Sequence, residues 1–304
     1  GHGNCRHVID NGDHKGPGGN TGGGGRCLVT VKVRTGSRAD QDGGEVDAVH
    51  RDRVLFRVNA AQGGVLPAAG HVVELIVNGV FAMDSAETTS EIALADAAGE
   101  APRRVLVGGL GLGFTAARLL DGGARPVDVL ALAQPLIEWA LAGVTDQLER
   151  VAHDPRVQLH HGDVAEWLPR RTDTFDAILL DAPCSATGTI RRHPDLPLIR
   201  DDSGIEGLAA LQAALIDRAL EILKPGGRLV FATCSLLQAE GEDQLAATLQ
   251  RHPELMVIRP DLSGVQPDWS TDQGGLRLRP DYWPDQGGMD GFFIARLQKP
   301  EAAR

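Results

Sequence analysis

From residue 101 onward, short apolar runs alternate with stretches in which apolar positions recur at helical spacing. The runs are Val105-Leu106-Val107, residues 127–132, Val157-Gln158-Leu159, Ala177-Ile178-Leu179-Leu180 and residues 228–232. Their length and β-branched content fit buried strands rather than helices. Residues 115–120 and 136–143 read as helices between them, and 205–223 as a long amphipathic helix. Lys224-Pro225-Gly226-Gly227 reads as its stop, a C-cap followed by a turn. Residues 292–297 supply a final strand. This alternation predicts an α/β fold, a doubly wound sheet over residues 101–304.

The pattern ahead of it differs. Residues 54–58 and 71–77 are β-branched runs beside the turn signals Gly63-Gly64 and Asn78-Gly79. They predict a small antiparallel β region within 48–100, followed by a helix over 88–98. Residues 1–47 are Gly-rich, polar and without period, which predicts a flexible, disordered tail with one strand over 28–33. Cys5 and the histidines near it read as part of that tail, not as a metal site.

Composition narrows the function. A net charge of −11 over 304 residues argues against a surface that coats nucleic acid, so any RNA contact must be a local basic patch. The four cysteines, Cys5, Cys27, Cys184 and Cys234, show no C-x-x-C spacing. Neither a metal nor a disulfide framework is expected. No run of 18 apolar residues and no signal-peptide pattern is found, so a cytoplasmic protein without a membrane partner is expected. A reducing cytoplasm keeps thiols free for chemistry.

Cys184 and Cys234 each follow a predicted strand, where an open parallel sheet lines its ligand crevice. A thiolate there is a nucleophile for an electron-poor carbon, and Asp181 places a carboxylate beside it. Gly108-Gly109-Leu110-Gly111-Leu112-Gly113 follows the first strand of the sheet. Gly109, Gly111 and Gly113 allow close backbone approach before a helix start. The dinucleotide fingerprint wants a glycine three residues after its second one, and Phe114 stands there, so S-adenosylmethionine is favoured over a nicotinamide dinucleotide. Asp163, after the third strand, is placed to meet an adenine amino group, or else to cap the helix that follows it.

These residues belong to a longer series. Residues 181–188 (DAPCSATG), 191–195 (RRHPD), 223–227 (LKPGG), 233–235 (TCS) and 287–293 (GGMDGFF) occur in one order. The series resembles the bacterial rRNA cytosine-C5 methyltransferases of the Sun/Fmu type, over about residues 172–299. The resemblance implies a Rossmann-type methyltransferase sheet, S-adenosylmethionine as cofactor and RNA, in particular rRNA, as substrate. It makes Cys234 the nucleophile and has Cys184 help expel it. With that chemistry, a protonated Asp181 would hydrogen-bond cytosine N3 to stabilise the developing charge, and it would also border the cofactor. Arg191, Arg192 and His193 would be the local basic patch that grips RNA phosphates.

A second resemblance covers the front half, over about residues 54–168. Residues 78–91, 104–120 and 154–168 resemble spermidine-synthase-like proteins, which share the nucleoside-binding Rossmann-type fold. The chain therefore reads as a splice or fusion of two families. Two departures stand out. The methyltransferase family's Pro-Gly-Gly-Lys loop is missing, and residues 130–135, where both families place a ribose-binding acid, hold none. Aminopropyl transfer is the alternative reading, but its Asp-Ser-x-Asp pattern is here Asp181-Ala182-Pro183-Cys184. A non-catalytic nucleoside-binding scaffold is the other.

Overall fold

The computed structural model describes residues 27–29, 54–60, 71–77, 80–85, 88–100, 102–191, 193–199, 202–259, 265–286 and 288–302. Most of the expected tail, and Arg192 of the expected basic patch, lie outside the described residues.

Four strands come first: β1 (Cys27–Val29), β2 (Val54–Ala60), β3 (His71–Val77) and β4 (Val80–Asp84). They pair antiparallel in chain order, the arrangement expected for this stretch, and β1 falls within the expected tail. After α1 (Thr89–Ala97), strands and helices alternate: β5 (Val105–Val107), α2 (Phe114–Asp121), β6 (Val127–Ala131), α3 (Gln134–Leu141), α4 (Asp146–Ala152), β7 (Val157–His161), α5 (Val164–Trp167), β8 (Phe175–Asp181), α6 (Leu196–Ile199), α7 (Ile205–Ile222) and β9 (Leu223–Thr233). The last elements are α8 (Glu242–Arg251), β10 (Met256–Val257), β11 (Leu276–Leu278) and β12 (Phe292–Gln298).

The second sheet has the order β10-β12-β9-β8-β5-β6-β7, with β11 beside β12. Strands β5 to β9 pair in parallel, and β12 closes on β9 antiparallel. The central strands are buried along nearly their whole length, as a sheet covered on both faces requires. Alternate residues serve opposite faces. Val107, Val129, Leu179 and Val230 pack on one side with α1 to α4, including Leu119 and Trp139. Leu106, Ile178, Leu229 and Phe231 pack on the other with Leu215, Ile216 and Leu220 of α7. Phe231 and Phe293 are both fully buried there, and each such ring contributes roughly 1.5–3 kcal/mol through burial.

The chain builds β5, β6 and β7 outward, then crosses back to place β8 on the far side of β5. The reversal leaves a crevice at the carboxyl ends of β5 and β8, the usual ligand position in an open α/β sheet. The Gly108 amide donates to the Leu179 carbonyl at 3.0 Å and ties the two strand ends together.

One expectation shifts. Lys224-Pro225-Gly226-Gly227 does not separate α7 from its strand; it lies within β9 as an irregular bulge. Leu223 pairs with Phe175 and Arg228 with Ala177, so the bulged strand loops out between them. Gly226 takes a φ of +72°, and Lys224 Nζ donates to Asp176 Oδ2 at 2.8 Å across the bulge. That contact returns the polar tail of the bulge to the sheet.

Candidate active site

Strands β8 and β9 are parallel neighbours with Asp181 opposite Ala232. The register carries on past the strands, because the Ala182 amide donates to the Ala232 carbonyl at 2.9 Å. The residues just beyond the two strand ends are therefore neighbours. Cys184 Sγ and Cys234 Sγ lie 3.4 Å apart as two free, half-buried thiols. The Gly188 amide donates to the Cys234 carbonyl at 2.9 Å, and the Gly291 amide donates to the Gly188 carbonyl at 2.8 Å. Three blocks that sequence set far apart thus meet at one point. A Cβ on Gly188 would fall 1.9 Å from Gly291 O and 2.9 Å from Cys234 O, so this packing admits only glycine.

The loop holding Cys184 is tightly wound. Ala186 takes a φ of 58°, in the left-handed region that side chains disfavour. Its carbonyl accepts from the Thr189 amide and from Thr189 Oγ1 at 2.8 Å. The hydroxyls of Ser185, Thr187 and Ser235 form a triangle with sides of 3.2–3.3 Å, spanning the two cysteine loops. Behind it sits Glu240, fully buried, a residue the sequence reading missed. Nothing in the polar run Ala239-Glu240-Gly241-Glu242-Asp243 distinguishes it from a solvated surface.

The two thiols titrate as one unit. Cys184 is pulled below the usual thiol range, first by its hydrogen bond with Cys234. Cys234 is pushed well above that range, first by the same bond and then by burial. The pair therefore loses its first proton, from Cys184, more easily than its second. Asp181 is open to the crevice yet walled by protein, and this desolvation, with the charge of Glu91 on α1, pushes its pKa up to about 6.

The glycine loop forms the crevice's other wall. Gly111 (φ +51°) and Gly113 (φ +85°) take left-handed conformations, and a Cβ at Gly111 would strike Met83 Sδ at 2.8 Å. A Cβ on Gly109 would meet nothing within 4 Å, so the loop is open at its centre. Gly113 caps α2 without a side chain, leaving first-turn amides for a ligand. This shape fits a nucleoside cofactor. Asp163 accepts from the Ala165 amide at 2.8 Å, so it does cap α5; it also lines a small cleft with His161, Trp167 and Arg171. At the end of β6, Ala131 is buried and Leu132 is exposed, with no carboxylate at either. Asp128 is not a substitute, because it is buried mid-strand between Arg104 Nε at 3.0 Å and His160 Nε2 at 2.8 Å.

Of the expected basic patch, Arg191 is exposed and lies beside Gly288, while His193 is half-buried. Among the described residues, no group of three or more His, Cys, Asp or Glu forms a metal-binding cluster. No described helix is long and apolar enough to cross a membrane.

The family model for 16S rRNA methyltransferase RsmB/F matches residues 129–298, which cover both cysteines, Asp181 and the bulged β9. The chain belongs to the RsmB/F family. The match starts well ahead of residue 172, where the sequence resemblance begins, and after the glycine loop. Ribosomal RNA small subunit methyltransferase B of Salmonella typhi is 42% identical over 179 residues, 58% of this chain and 38% of the relative. The chain thus spans well under half the length of that relative. Among solved structures, PH0851 superposes with a TM-score of 0.56 at 25% identity, covering 69% of this chain and 45% of that one. NSun6 from Pyrococcus horikoshii, solved with SFG, gives 0.54 at 22% identity, over 69% and 52% of the two chains. The latter likeness confirms the α/β sheet expected from the sequence.

Proposed function

We propose that this chain is an S-adenosylmethionine-dependent RNA cytosine-C5 methyltransferase acting on rRNA, with a covalent Cys234 adduct. The observation that carries the reading is the 3.4 Å approach of Cys184 and Cys234 at the strand ends beside Asp181. In this reading residues 101–304 are the catalytic unit, 48–100 a small β region with a helix ahead of it, and the cytoplasm its compartment. Gly109, Gly111, Gly113 and Asp163 would hold the cofactor, with Asp181 at its border. S-adenosylmethionine, when bound, supplies the methyl group.

The chain's own residues supply the rest. Cytosine C5 is a poor nucleophile, and addition of a thiolate at C6 makes it enamine-like. The shared proton passes from Cys234 to Cys184 as the Cys234 sulfur bonds to C6. Asp181, held protonated more readily than an ordinary carboxyl, gives its proton to N3 and so neutralises the developing charge. Once C5 carries the methyl group, a base takes the C5 proton and the N3 proton returns to Asp181. The C6–S bond then breaks, and the Cys184 S–H stabilises the departing thiolate by hydrogen bonding. Arg191, Arg192 and His193 would meet RNA phosphates near this point.

The aminopropyl alternative needs a second carboxylate in the loop after β8, and Cys184 stands in its place. The test is transfer of a labelled methyl group to unmodified 16S rRNA. Label should appear at cytosine C5 with the wild-type chain and fall at least about a thousandfold with Cys234→Ala, the scale of a lost nucleophile. Undiminished transfer by Cys234→Ala overturns the covalent mechanism.

A further inference from the structure

Glu240 follows Cys234 by six residues and is fully buried. Its carboxylate accepts from the Ser185 amide at 2.9 Å, from the Ser185 hydroxyl and from Gln212 Nε2 at 3.1 Å. Gln212, fully buried on α7, also donates to the Pro183 carbonyl at 2.8 Å. One carboxylate is therefore bonded, directly or through Gln212, to both residues that flank Cys184. The Ser185 hydroxyl it fixes lies 3.2 Å from Ser235 Oγ, next to Cys234. The Glu240 carbonyl in turn accepts from Thr233 Oγ1, on the other side of Cys234, at 2.9 Å. All of these bonds converge on the two cysteine loops, and a buried charge is costly without such partners.

We propose that Glu240 is the positioning residue for the thiol pair. It holds the Cys184 loop against the Cys234 loop so that the two sulfurs share a proton and the second can assist release of the first. The role in release rests on the covalent methyltransferase reading above; the role in holding the sulfurs together does not. Glu240 is placed to act through Ser185 and Gln212, without a bond to either sulfur.

Phenylarsine oxide, which binds two adjacent thiols and grips a single thiol weakly, reports the pairing on the full chain without RNA. Glu240→Ala should lower its affinity about tenfold to a hundredfold, as expected for lost charged hydrogen bonds. Alkylation of individual thiols by iodoacetamide should persist. Glu240→Gln keeps an acceptor for the Ser185 amide and should recover part of the affinity. On labelled RNA, Glu240→Ala should lower kcat far more than it changes KM, and a protein–RNA adduct should accumulate on a denaturing gel. Should Glu240→Ala fail to unfold cooperatively, Ser185→Ala, which removes the hydroxyl between Glu240 and Ser235, carries the same comparison. Wild-type affinity for phenylarsine oxide in Glu240→Ala, or in Ser185→Ala where Glu240→Ala does not fold, overturns the proposal. A wild-type chain that binds phenylarsine oxide but leaves RNA cytosine unmethylated overturns the functional reading instead.

Discussion

The two walls of the crevice are built on opposite plans. The thiol wall is cross-linked: Ser185, Thr187, Ser235, Gln212 and Glu240 bond the loops after β8 and β9 to one another, and Gly188 is wedged between Cys234 and Gly291. The cofactor wall is shaped mainly by what it lacks. Its glycines have no side chains, α2 has no side-chain cap, and β6 ends without a carboxylate. The wall that must hold two sulfurs in register is rigid. The wall that must admit a nucleoside is open backbone. Substitutions on the first wall should therefore change catalysis steeply, and those on the second should change affinity modestly.

The largest effect after loss of the nucleophile is expected from Cys184→Ala. Without Cys184 the Cys234 thiol loses the bond that raises its pKa, so it can give its proton to water and still attack C6, and C5 still accepts the methyl group, but the departing thiolate loses its 3.4 Å partner. Multiple turnover should fall by about two orders of magnitude, the usual scale for a missing general acid. A slow protein–RNA band should appear on denaturing gels and vanish in the Cys184→Ala/Cys234→Ala double variant. Full activity without a band would reduce Cys184 to a packed loop residue.

Gly188→Ala tests the same wall by crowding. A Cβ 1.9 Å from Gly291 O meets backbone, which cannot swing aside. Overpacking of this kind costs about 1–3 kcal/mol, read as a lowered unfolding midpoint, and it should carry activity down with it. Gly109→Ala is the matching change on the open wall, where a Cβ meets nothing within 4 Å. Its unfolding midpoint should stay near wild type while cofactor affinity falls. Equal destabilisation by the two changes would erase the contrast between the walls.

Asp181→Asn sharpens the comparison where the walls meet. The carboxyl pKa is raised to about 6 in the folded chain, above its ordinary value. The folded state therefore binds the proton more tightly than the unfolded one. Its stability falls as pH rises from about 4 through about 6 and stays lower above that. Asparagine does not ionise, so the variant should melt higher than wild type near pH 8 and match it below about pH 4. Turnover should fall, because an amide donates a hydrogen bond to N3 but cannot give up a proton. A stability difference independent of pH would show that Asp181 is not desolvated.

The two walls also differ in how legible they were. Cys184, Cys234, Asp181 and the glycine loop were visible because each follows an apolar run, and strand ends in a parallel sheet converge. Glu240 was not visible. A glutamate in an acidic, glycine-containing run looks solvated, and its burial depends on Ser185 and Gln212, both far away in sequence. The proline and glycines of the Lys224–Gly227 stretch predict a helix stop, and local turn chemistry is indeed there. What local chemistry does not encode is that Leu223 pairs with Phe175 before the turn, which makes it a bulge. Helix α8 escaped notice because its sequence is mostly polar, and its contribution to the hydrophobic core is Leu245 with the partly buried Leu249 beside it.

The smallest effect is expected at the end of β6, where the two sequence resemblances imply an acid. Ala131 is the last residue of β6, 3% exposed, with its carbonyl accepting from the Gly162 amide at 3.1 Å. It shares a face with Val127 and Val129, in the core that also holds Leu110 and Leu112 of the glycine loop. Ala131→Glu would bring a carboxylate to the end of β6, where the sequence resemblances imply a ribose contact. Without ligand, that charge is partly desolvated, so the ligand-free variant should melt below wild type. With S-adenosylhomocysteine bound, the ribose hydroxyls satisfy it, and ligand-induced stabilisation should exceed the wild-type shift by about 1 kcal/mol. Leu132→Glu is the control, because Leu132 is 62% exposed and should leave both melting values unchanged. An Ala131→Glu variant with a shift no larger than wild type would place the end of β6 away from the ribose. The open wall would then owe its affinity to the glycine loop and Asp163 alone.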